Sequence, residues 1–411
     1  MSRRIIVVGG GAAGFFAAIA NAEAAPDAEV TLLERGAGFL EKVRISGGGR
    51  CNVTHACFDP RELATRYPRG GRALIGPLGR FGPRETVSWF ESRGVPLKTE
   101  KDGRMFPATD SSQTIMDCLL AAAQAAGVKR FLHRGVDRAA KGATGGFDLA
   151  LSDGSTLSCD RLLLATGGAR MAVGATLAVS LGHTLEPPVP SLFAFQVESS
   201  WLRGLAGVSV ESAEISVPDE GLSERGPVLV THSGLSGPAV LRLSAWGARK
   251  FHALDDRFPL RVNWLPGLTA EAVAAELRSG RDRHPARLVT SAPIPPLPAR
   301  LWEKLCLAAG VGADTRWAAF SAPAQRALVA QLTRSEVPVT GKSLNKEEFV
   351  TCGGVRLAEV DFRTMESRVC PGLHLAGELL DVDGLTGGFN FQAAWTTGWI
   401  AGRSMAGASA V

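Results

Sequence analysis

The sequence has no CxxC pair, no long apolar run and no internal repeat. Its seven cysteines form no metal-ligand spacing with the seven histidines, and an odd cysteine count cannot complete a disulfide framework. These absences argue against a structural metal and favour a cytoplasmic protein. No apolar run reaches the ~18 residues that a membrane-spanning helix requires, so we expect no membrane partner.

The overall composition is that of an ordinary soluble protein. The chain has 411 residues, of which 45% are hydrophobic and 21% are charged, and its formal net charge is +5. Two or three domains are expected, since a domain takes roughly 100 to 200 residues. The mild positive charge permits an anionic partner such as RNA but does not require one.

The amino terminus carries the pattern of a dinucleotide-binding fold. The apolar run Ile5–Val8 predicts a strand, a glycine turn follows it, and an alanine-rich stretch to about Ala25 predicts a helix. A second predicted strand, Glu29–Glu34, ends in an acid that is placed to bind the two ribose hydroxyls. This β-turn-α-β order predicts a parallel sheet.

The glycines of this turn indicate a pyrophosphate ligand. Gly9 makes the tight turn, Gly11 lets the pyrophosphate approach the backbone, and Gly14 permits close packing of the helix against the strand. The free N–H groups of the helix N-terminus favour phosphate. The predicted cofactor-binding residues here are Gly9, Gly11, Ala12, Ala13, Gly14, Glu34 and Arg35, although Glu34 argues against a 2′-phosphate beside Arg35.

A second glycine run, ISGGGRCN at Ile45–Asn52, suits neither a helix nor a regular strand. Three successive glycines cost backbone entropy and bury no side chain. We therefore expect a large, flat or charged group to lie close to this backbone.

The pattern of predicted strands and helices changes in the middle of the chain, and the last segment again has the signals of the first domain. A predicted buried strand in Arg161–Gly168 runs into the turn ATGG, and short strands from about Pro187 indicate an inserted β-rich module. Residues 269–332 are mostly helical in pattern. The last segment contains the strand LHLAG, a glycine-rich loop and a helix from about Asn390.

Four blocks of the sequence resemble the YhiN/BaiN-like flavoprotein family, which also includes enzymes called NAD(P)/FAD-dependent or aminoacetone-oxidase-family oxidoreductases. The blocks are KVRISGGGRCNVT (Lys42–Thr54), GRMFPATDSSQTIMDCLL (Gly103–Leu120), LVTHSGLSGPAVLRLS (Leu229–Ser244) and the long stretch Val350–Gly402. The resemblance implies an α/β fold in which a glutathione-reductase-type FAD-binding Rossmann domain is interrupted by a β-rich domain and a small helical domain. The predicted boundaries are 1–188 with 345–411 for the FAD-binding domain, 189–266 with 333–344 for the β-rich domain, and 267–332 for the helical one.

The resemblance also implies FAD as the resident cofactor and NAD(P)H as a transient co-substrate, and the sequence contains no second GxGxxG motif with its own strand and acid. A surface role for Lys42, and turn capping by Glu378 and Asp381, remain open alternatives. The further predicted FAD-binding residues are Lys42, Ser46, Gly47, Gly48, Gly49, Arg50, Cys51, Asn52, Ala165, Thr166, Gly167, Gly377, Glu378, Asp381, Gly387, Gly388, Phe389, Asn390 and Phe391.

The helix that begins near Asn390 is expected to direct its N–H groups and its dipole at the pyrimidine carbonyls of the flavin. Asn390 and Gln392 are the hydrogen-bonding candidates there. Arg50, Cys51 and His232 are the catalytic candidates, and Arg104 is a further cation for a substrate carbonyl or carboxylate. A structural ion pair for Arg50, a buried apolar role for Cys51 and a structural role for His232 remain open.

The predicted function is that of an FAD-dependent oxidoreductase that passes hydride from NAD(P)H to a polarised C=C or C=N bond. A uracil base in ribosomal RNA and a small enone are the candidate substrates. The alternatives are an amine oxidase that uses O2 and a flavin-stabilised binding protein. Two features depart from the family, the compact loop after Gly168 and a histidine at position 55. They bear on substrate specificity more than on FAD binding.

Overall fold

The computed structural model describes residues 2–143, 145–168, 172–343 and 350–407, without the side chain of Ala172. The chain divides into two compact units, Met1–Pro190 with Val350–Val411, and Ser191–Phe349. The first unit contains the predicted parallel sheet with its helices, which confirms the α/β fold class.

The described residues form twenty-one strands and twelve α-helices. In chain order the strands are β1 (Arg4–Val8), β2 (Glu29–Leu33), β3 (Thr54–His55), β4 (Leu97–Thr99), β5 (Arg104–Pro107), β6 (Lys129–Phe131), β7 (Val136–Lys141), β8 (Phe147–Leu151), β9 (Thr156–Cys159), β10 (Arg161–Leu164), β11 (Leu185–Ser191), β12 (Phe195–Val197), β13 (Ser209–Val217), β14 (Leu222–Val230), β15 (Gly234–Ser236), β16 (Phe258–Asn263), β17 (Ser335–Lys342), β18 (Val350–Val355), β19 (Val360–Asp361), β20 (Glu366–Ser367) and β21 (Leu373–Leu375). The helices are α1 (Ala12–Ala24), α2 (Glu41–Gly49), α3 (Pro60–Ala64), α4 (Gly71–Arg80), α5 (Pro83–Glu91), α6 (Ser112–Ala125), α7 (Ala172–Ser180), α8 (Pro238–Ala253), α9 (Ala270–Arg283), α10 (Ala299–Ala308), α11 (Ala322–Arg334) and α12 (Phe389–Met405).

A seven-stranded sheet, in the order β19-β20-β21-β10-β1-β2-β6, forms the centre of the first unit. Strands β21, β10, β1, β2 and β6 are parallel. The runs IIVV in β1 and LLL in β10 are buried without alternation, as expected where both faces of a parallel sheet are covered. Because these strands run in one direction, the turns that follow them lie at one edge of the sheet.

Helices α1 and α12 cross with their backbones in contact. A Cβ atom added at Gly398 would lie 2.4 Å from the carbonyl oxygen of Ala13, and one added at Gly402 would lie 2.2 Å from that of Ala17. Residues four apart lie on one face of a helix, so the two glycines together open a path for α1. The buried amide of Asn21 donates to the Gly402 carbonyl over 2.9 Å and holds the crossing.

Smaller sheets complete the first unit. Strands β3, β5 and β4 form an antiparallel sheet just after the run ISGGGRCN, and β7, β8 and β9 form a second one. Strand β11 pairs with β18.

The second unit is a closed barrel with helices. Its strands follow the order β12-β15-β14-β13-β16-β17, and burial alternates along β13 and β16, as expected when one face of each strand lines the barrel interior. The core of this unit includes the buried residues Phe195, Phe251, Trp264 and Trp302.

The three helices α9, α10 and α11 lie within or next to the predicted helical segment 267–332, and they belong to the same compact unit as the barrel. The predicted boundary at 344 and 345 lies outside the described residues, so the division into three domains stays a prediction. In the part of the chain that the structure describes, no helix combines the length and apolar character needed to cross a membrane.

The helix crossing leads to a stability prediction. Gly398→Val places a branched side chain where the Ala13 carbonyl lies, so we expect the free energy of unfolding to fall by about 1–3 kcal/mol. For a unit of this size the melting midpoint should fall by roughly 2–12 °C, which thermal denaturation of the FAD-free protein would measure.

Gly76→Val in α4 is the matched control. A Cβ atom at Gly76 would meet nothing within 4 Å, so its midpoint should change little. If the Gly398→Val protein melts like the wild type, the close crossing of α1 and α12 is incorrect.

Candidate functional site

Four turns meet at the carboxyl edge of the parallel strands. They follow β1, β2, β10 and β21, and ligands of open α/β sheets bind at this edge. The fold therefore brings together predicted residues that are far apart in sequence: Gly9, Gly11, Ala12, Ala13, Glu34, Ala165, Thr166, Gly167, Gly377 and Glu378.

In the turn after β1, backbone atoms lie beside Gly9 and Gly14, and open space lies beside Gly11. A Cβ atom at Gly9 would lie 2.3 Å from the carbonyl oxygen of Ala165, and one at Gly14 would lie 1.9 Å from that of Gly9. A Cβ atom at Gly11 would meet nothing within 4 Å. Backbone therefore fills the space at the first and third glycines, whereas the second borders open space of the kind that a pyrophosphate needs.

No side chain caps the N-terminus of α1 in the described part of the chain. Gly11 is the N-cap residue, and the first turn of the helix contains no acidic residue. The N–H groups at Ala12 and Ala13 precede the first internal hydrogen bonds of the helix. An anion at this end would meet both the N–H groups and the helix dipole.

The carboxylate of Glu34 holds this turn from the neighbouring strand. One oxygen accepts from the Gly10 N–H over 2.7 Å, and the other accepts from the Gly36 N–H over 2.7 Å. A carboxylate offers about four acceptor positions, so Glu34 retains capacity for ribose hydroxyls. Arg35 forms an ion pair with Asp137, and its contact with a cofactor stays a prediction.

Lys42 and Glu378, predicted as separate contacts, form an ion pair of 2.6 Å between Nζ and Oε2. The other Glu378 oxygen accepts from the Thr351 N–H over 2.8 Å. The pair connects α2 to the turn after β21. Asp381, in the same turn, is buried.

The run ISGGGRCN is the end of α2 together with a kinked loop. Gly47, Gly48 and Gly49 have φ angles of 58, 67 and 82°, in the left-handed region that strains any side chain. A Cβ atom at Gly48 or Gly49 would meet nothing within 4 Å. The three glycines are thus needed for the backbone path, and two of them border open space, which fits the expected approach of a flat group.

Arg50 and Arg104 share one aromatic ring and one carboxylate. Their guanidinium carbons lie 4.0 and 5.5 Å from the centre of the Phe106 ring. Glu100 binds both, at 2.7 Å from Arg50 and 2.9 Å from Arg104. The hydrogen bond that Arg50 donates to Glu100 raises the pKa of Arg50, so this group is a fixed cation. The structure shows the ion pair, and the catalytic role of Arg50 stays a prediction.

Cys51 lies inside the loop rather than on its surface. Its φ angle is 60°, its N–H donates to the Ser46 carbonyl over 3.0 Å, and its side chain is fully buried. Burial raises the pKa of Cys51 to about 12, so the thiol keeps its proton near neutral pH. Its catalytic role stays a prediction.

Side-chain amides join the glycine loops from the two ends of the chain. Asn390 closes its own loop, since its Oδ1 accepts from the Gly384 N–H over 2.8 Å and its Nδ2 donates to the Gly384 carbonyl over 2.9 Å. Asn52 donates to the Thr54 carbonyl over 3.0 Å and accepts from the Gly388 N–H over 2.9 Å. The two loops therefore form one continuous surface at the N-terminus of α12.

The prediction that Gln392 binds the flavin is wrong, because its side chain points into the protein. Its Oε1 accepts from the hydroxyls of Thr54 and Thr86 over 2.5 and 3.0 Å. Its Nε2 donates to the Thr396 hydroxyl over 3.0 Å and to the Phe81 carbonyl over 3.4 Å. All four hydrogen-bonding positions of the amide are thus used in the interior.

The aromatic residues at the start of α12 pack against neighbouring rings. The buried Phe389 ring stacks on His55 with 4.8 Å between centroids, and Phe391 stacks on Trp395 at 5.5 Å. The Nε2 atom of His55 lies 3.0 Å from the Asp102 carbonyl, and burial lowers the pKa of His55. The histidine that departs from the family pattern is therefore a partly buried ring that supports Phe389. The start of the compact loop, residues 169–171, lies outside the described residues.

Sequence reasoning missed two residues between α3 and α4 that hold the carboxyl-terminal loop. Tyr67, the only tyrosine of the chain, donates its buried hydroxyl to the Phe389 carbonyl over 2.8 Å. Burial raises the pKa of Tyr67, so it remains a donor. Arg69 pairs with the fully buried Asp383. The rarity of tyrosine was the one available signal, since no local pattern links residues more than 300 positions apart.

His232 belongs to the second unit. It is exposed and lies between β14 and β15, where the Thr231 hydroxyl accepts from the Gly234 N–H over 3.1 Å. Its role as a proton donor stays a prediction.

The geometry of the turn after β1 predicts that one substitution weakens FAD binding and that another lowers stability. Gly11→Ala fits the protein but fills the space beside the N-terminus of α1, so we expect normal stability without FAD and at least tenfold weaker FAD binding, about 1.4 kcal/mol. Gly14→Ala collides with the Gly9 carbonyl, so we expect a lower melting midpoint even without FAD. Flavin fluorescence titration and thermal denaturation of the FAD-free proteins would measure both. Unchanged FAD affinity in Gly11→Ala would show that the pyrophosphate lies elsewhere.

Comparison with known proteins identifies the family of this chain. The family described as HI0933-like protein Rossmann domain matches residues 3–404. The chain is 32% identical to the ribosomal RNA dihydrouridine synthase of Escherichia coli (strain K12), with 97% of each chain covered. It is 30% identical to the 3-dehydro-bile acid delta(4,6)-reductase of Clostridium scindens, with 98% of this chain and 99% of the relative covered.

Among solved structures, the 3-ketosteroid-delta4-(5alpha)-dehydrogenase of Rhodococcus jostii RHA1 is similar in fold. The TM-score is 0.50 at 15% identity, and the match covers 100% of this chain and 97% of the other. This likeness supports the fold alone, a Rossmann-type domain with an added β-rich part. The end-to-end match shows that the chain belongs to the HI0933-like family of FAD-dependent oxidoreductases, the YhiN/BaiN-like flavoproteins that its sequence blocks resemble.

Proposed function

We propose that this protein reduces a C=C bond conjugated to a carbonyl group, with NAD(P)H as the source of hydride. The observation that carries the proposal is the end-to-end similarity to two relatives whose names describe such reductions, one of a uridine in ribosomal RNA and one of a 3-dehydro bile acid. A uracil ring and an unsaturated ketone share this chemistry, because in both the C=C bond is polarised by a carbonyl.

The residues at the carboxyl edge fit FAD. Gly11 and the N-terminus of α1 would hold the pyrophosphate, Glu34 the adenosine ribose, and the open backbone at Gly48 and Gly49 would border the flavin. When bound, FAD supplies hydride transfer between a nicotinamide and the C=C bond.

The N-terminus of α12 supports this chemistry electrostatically. Its N-cap is Gly388, and its first turn contains no acidic residue. The N–H groups and the dipole of this end stabilise negative charge that develops beside them. Asn52 and Asn390 fix the position of this helix end through their backbone contacts and so act as positioning residues.

Arg50 and Arg104 are the proposed partners of the substrate carbonyl. Addition of hydride to the far carbon of a conjugated C=C bond moves negative charge onto the carbonyl oxygen, which a guanidinium stabilises. Glu100 holds both guanidiniums in place, and Arg50 has a side chain that is 34% exposed. The second carbon needs a proton, and His232 is the proposed donor because histidine is the side chain most often used in general acid catalysis.

Reoxidation of the bound flavin tests the reaction class. We expect photoreduced enzyme, kept anaerobic, to regain its absorbance with a 4-ene-3-ketosteroid or with unmodified ribosomal RNA at about 1 s⁻¹ or faster, an ordinary turnover rate. Air-saturated buffer should act much more slowly, and the saturated ketone is the matched control. Fast reoxidation by O2 alone, with H2O2 formed, would identify an oxidase, and failure of both NADH and NADPH to reduce the flavin would remove the nicotinamide from the proposal.

Three single variants test the proposed roles. We expect Arg50→Met and His232→Ala to slow substrate reduction by roughly 10²-fold or more, the usual contribution of a positioned charge or acid. Cys51→Ala tests the third catalytic candidate, and we expect a smaller loss of turnover because the thiol is buried. FAD content and the rate of flavin reduction by the nicotinamide serve as controls for folding. Wild-type rates in the first two variants would show that Arg50 and His232 have other roles.

A further inference from the structure

We propose that the carboxyl-terminal end of α9 and the segments paired with it form a binding surface for an RNA backbone. The inference rests on the proposed function, since it names RNA as the partner, but it concerns a surface of the second unit that the site above does not include. The surface, called the α9 arginine cluster below, consists of Arg278, Arg281, Arg283, Arg287 and Arg316.

Backbone pairing brings three segments of this cluster together. The Trp317 N–H donates to the Arg287 carbonyl over 3.0 Å, and the Ala318 N–H donates to the Pro285 carbonyl over 2.9 Å. A β-bridge joins Leu288 to Arg316. Arg287 and Arg316 are thus neighbours in space although 29 positions separate their numbers in the chain.

Four of the guanidiniums are positioned by carbonyl groups, and Arg283 and Arg287 donate to those of Ser279 and Ser291 over 3.3 and 3.2 Å. Arg281 donates to the Ala318 carbonyl over 3.1 Å, and Arg316 donates to the Ala286 carbonyl over 2.5 Å. A carbonyl orients a guanidinium without neutralising its charge, and each guanidinium has about five N–H donors. Donors therefore remain for an incoming anion.

The cluster is exposed and has an excess of positive charge. Every residue from 281 to 287 is exposed, and within 278–287 four arginines stand against the single acid Asp282. Glu276 pairs with Arg283. In the described part of the chain, neither Arg278 nor Arg287 has an ion-pair partner.

Local helix chemistry explains only part of this pattern. A helix C-terminus favours basic residues in its last turn, which accounts for Arg281 and Arg283 at the end of α9. It does not account for Arg287 or Arg316, which lie beyond the helix and come to the same place through tertiary pairing.

The chemistry of the surface suits phosphates better than a protein partner. Arginine forks bind phosphate oxygens in pairs, and an RNA backbone needs no apolar anchor. Protein interfaces usually centre on buried aromatic or apolar side chains. The described large apolar residues that are exposed include none in 278–288 or 315–318.

A paired charge-reversal experiment tests the surface. The FAD-loaded full-length protein, its Arg278→Glu/Arg287→Glu variant and an Arg61→Glu/Arg138→Glu control would be titrated into fluorescein-labelled, unmodified ribosomal RNA fragments at several KCl concentrations. The variant spares Arg281 and Arg316, whose bonds join the paired segments, whereas Arg287 bonds the Ser291 carbonyl only four residues along the chain. The control makes the same charge change at exposed positions of the first unit. We expect the cluster variant to bind RNA at least tenfold more weakly, and its slope of log K against log salt to be smaller by about 1.5. The control should bind like the wild type.

The same samples separate this inference from the proposed function. Flavin content and reoxidation by the 4-ene-3-ketosteroid should be equal in all three proteins. Equal RNA binding by the cluster variant and the wild type would contradict the proposed binding surface. An equal loss of RNA binding in the control, or no RNA binding by the wild type, would contradict it as well. If only the cluster variant loses RNA binding but no C=C substrate reoxidises the flavin, the surface stands and the proposed function fails.

Discussion

Close backbone approach at the N-terminus of α1 is the constraint on which the site depends. Gly9 and Gly14 leave out side chains where main-chain carbonyls already lie, and Gly398 does the same where α12 crosses α1. Because backbone atoms fill the space beside Gly9 and Gly14, the open space of this turn lies beside Gly11. A space suited to a phosphate is therefore left by the absence of side chains, and the N–H groups of the helix end would supply the attraction. The crossing also fixes α12, so that its own N-terminus is held relative to the same turn.

The backbone contributes positive potential at this edge, where two cationic side chains already have acidic partners. Lys42 pairs with Glu378, and Arg69 pairs with the buried Asp383. Such pairs orient the loops and cancel much of the side-chain charge. The N-termini of α1 and α12 have no acidic residue in their first turns. They therefore provide the part of the electrostatic field that an anionic or electron-rich group would meet.

The loops around this edge are held by contacts between distant parts of the chain. Asn52 reaches Gly388, and the hydroxyl of Tyr67 reaches the Phe389 carbonyl. A loop with several left-handed glycines has no regular hydrogen bonds of its own to fix its path. Side-chain bonds to its main chain supply that restraint, and the burial of Tyr67 and Cys51 keeps both groups protonated and fixed.

The local pattern of residues by itself determined the Rossmann turn, the acid at the end of β2 and the need for glycine at 47–49, because strand, turn and helix signals act over a few neighbours. Family resemblance added FAD and the interrupted fold. Only the tertiary structure decided that Gln392 points inward, that Cys51 is buried and that Tyr67 supports Phe389. The physical reason is that these outcomes depend on which elements pack together. Partners such as Thr54 and Gln392, 338 positions apart, leave no periodic signal in the chain.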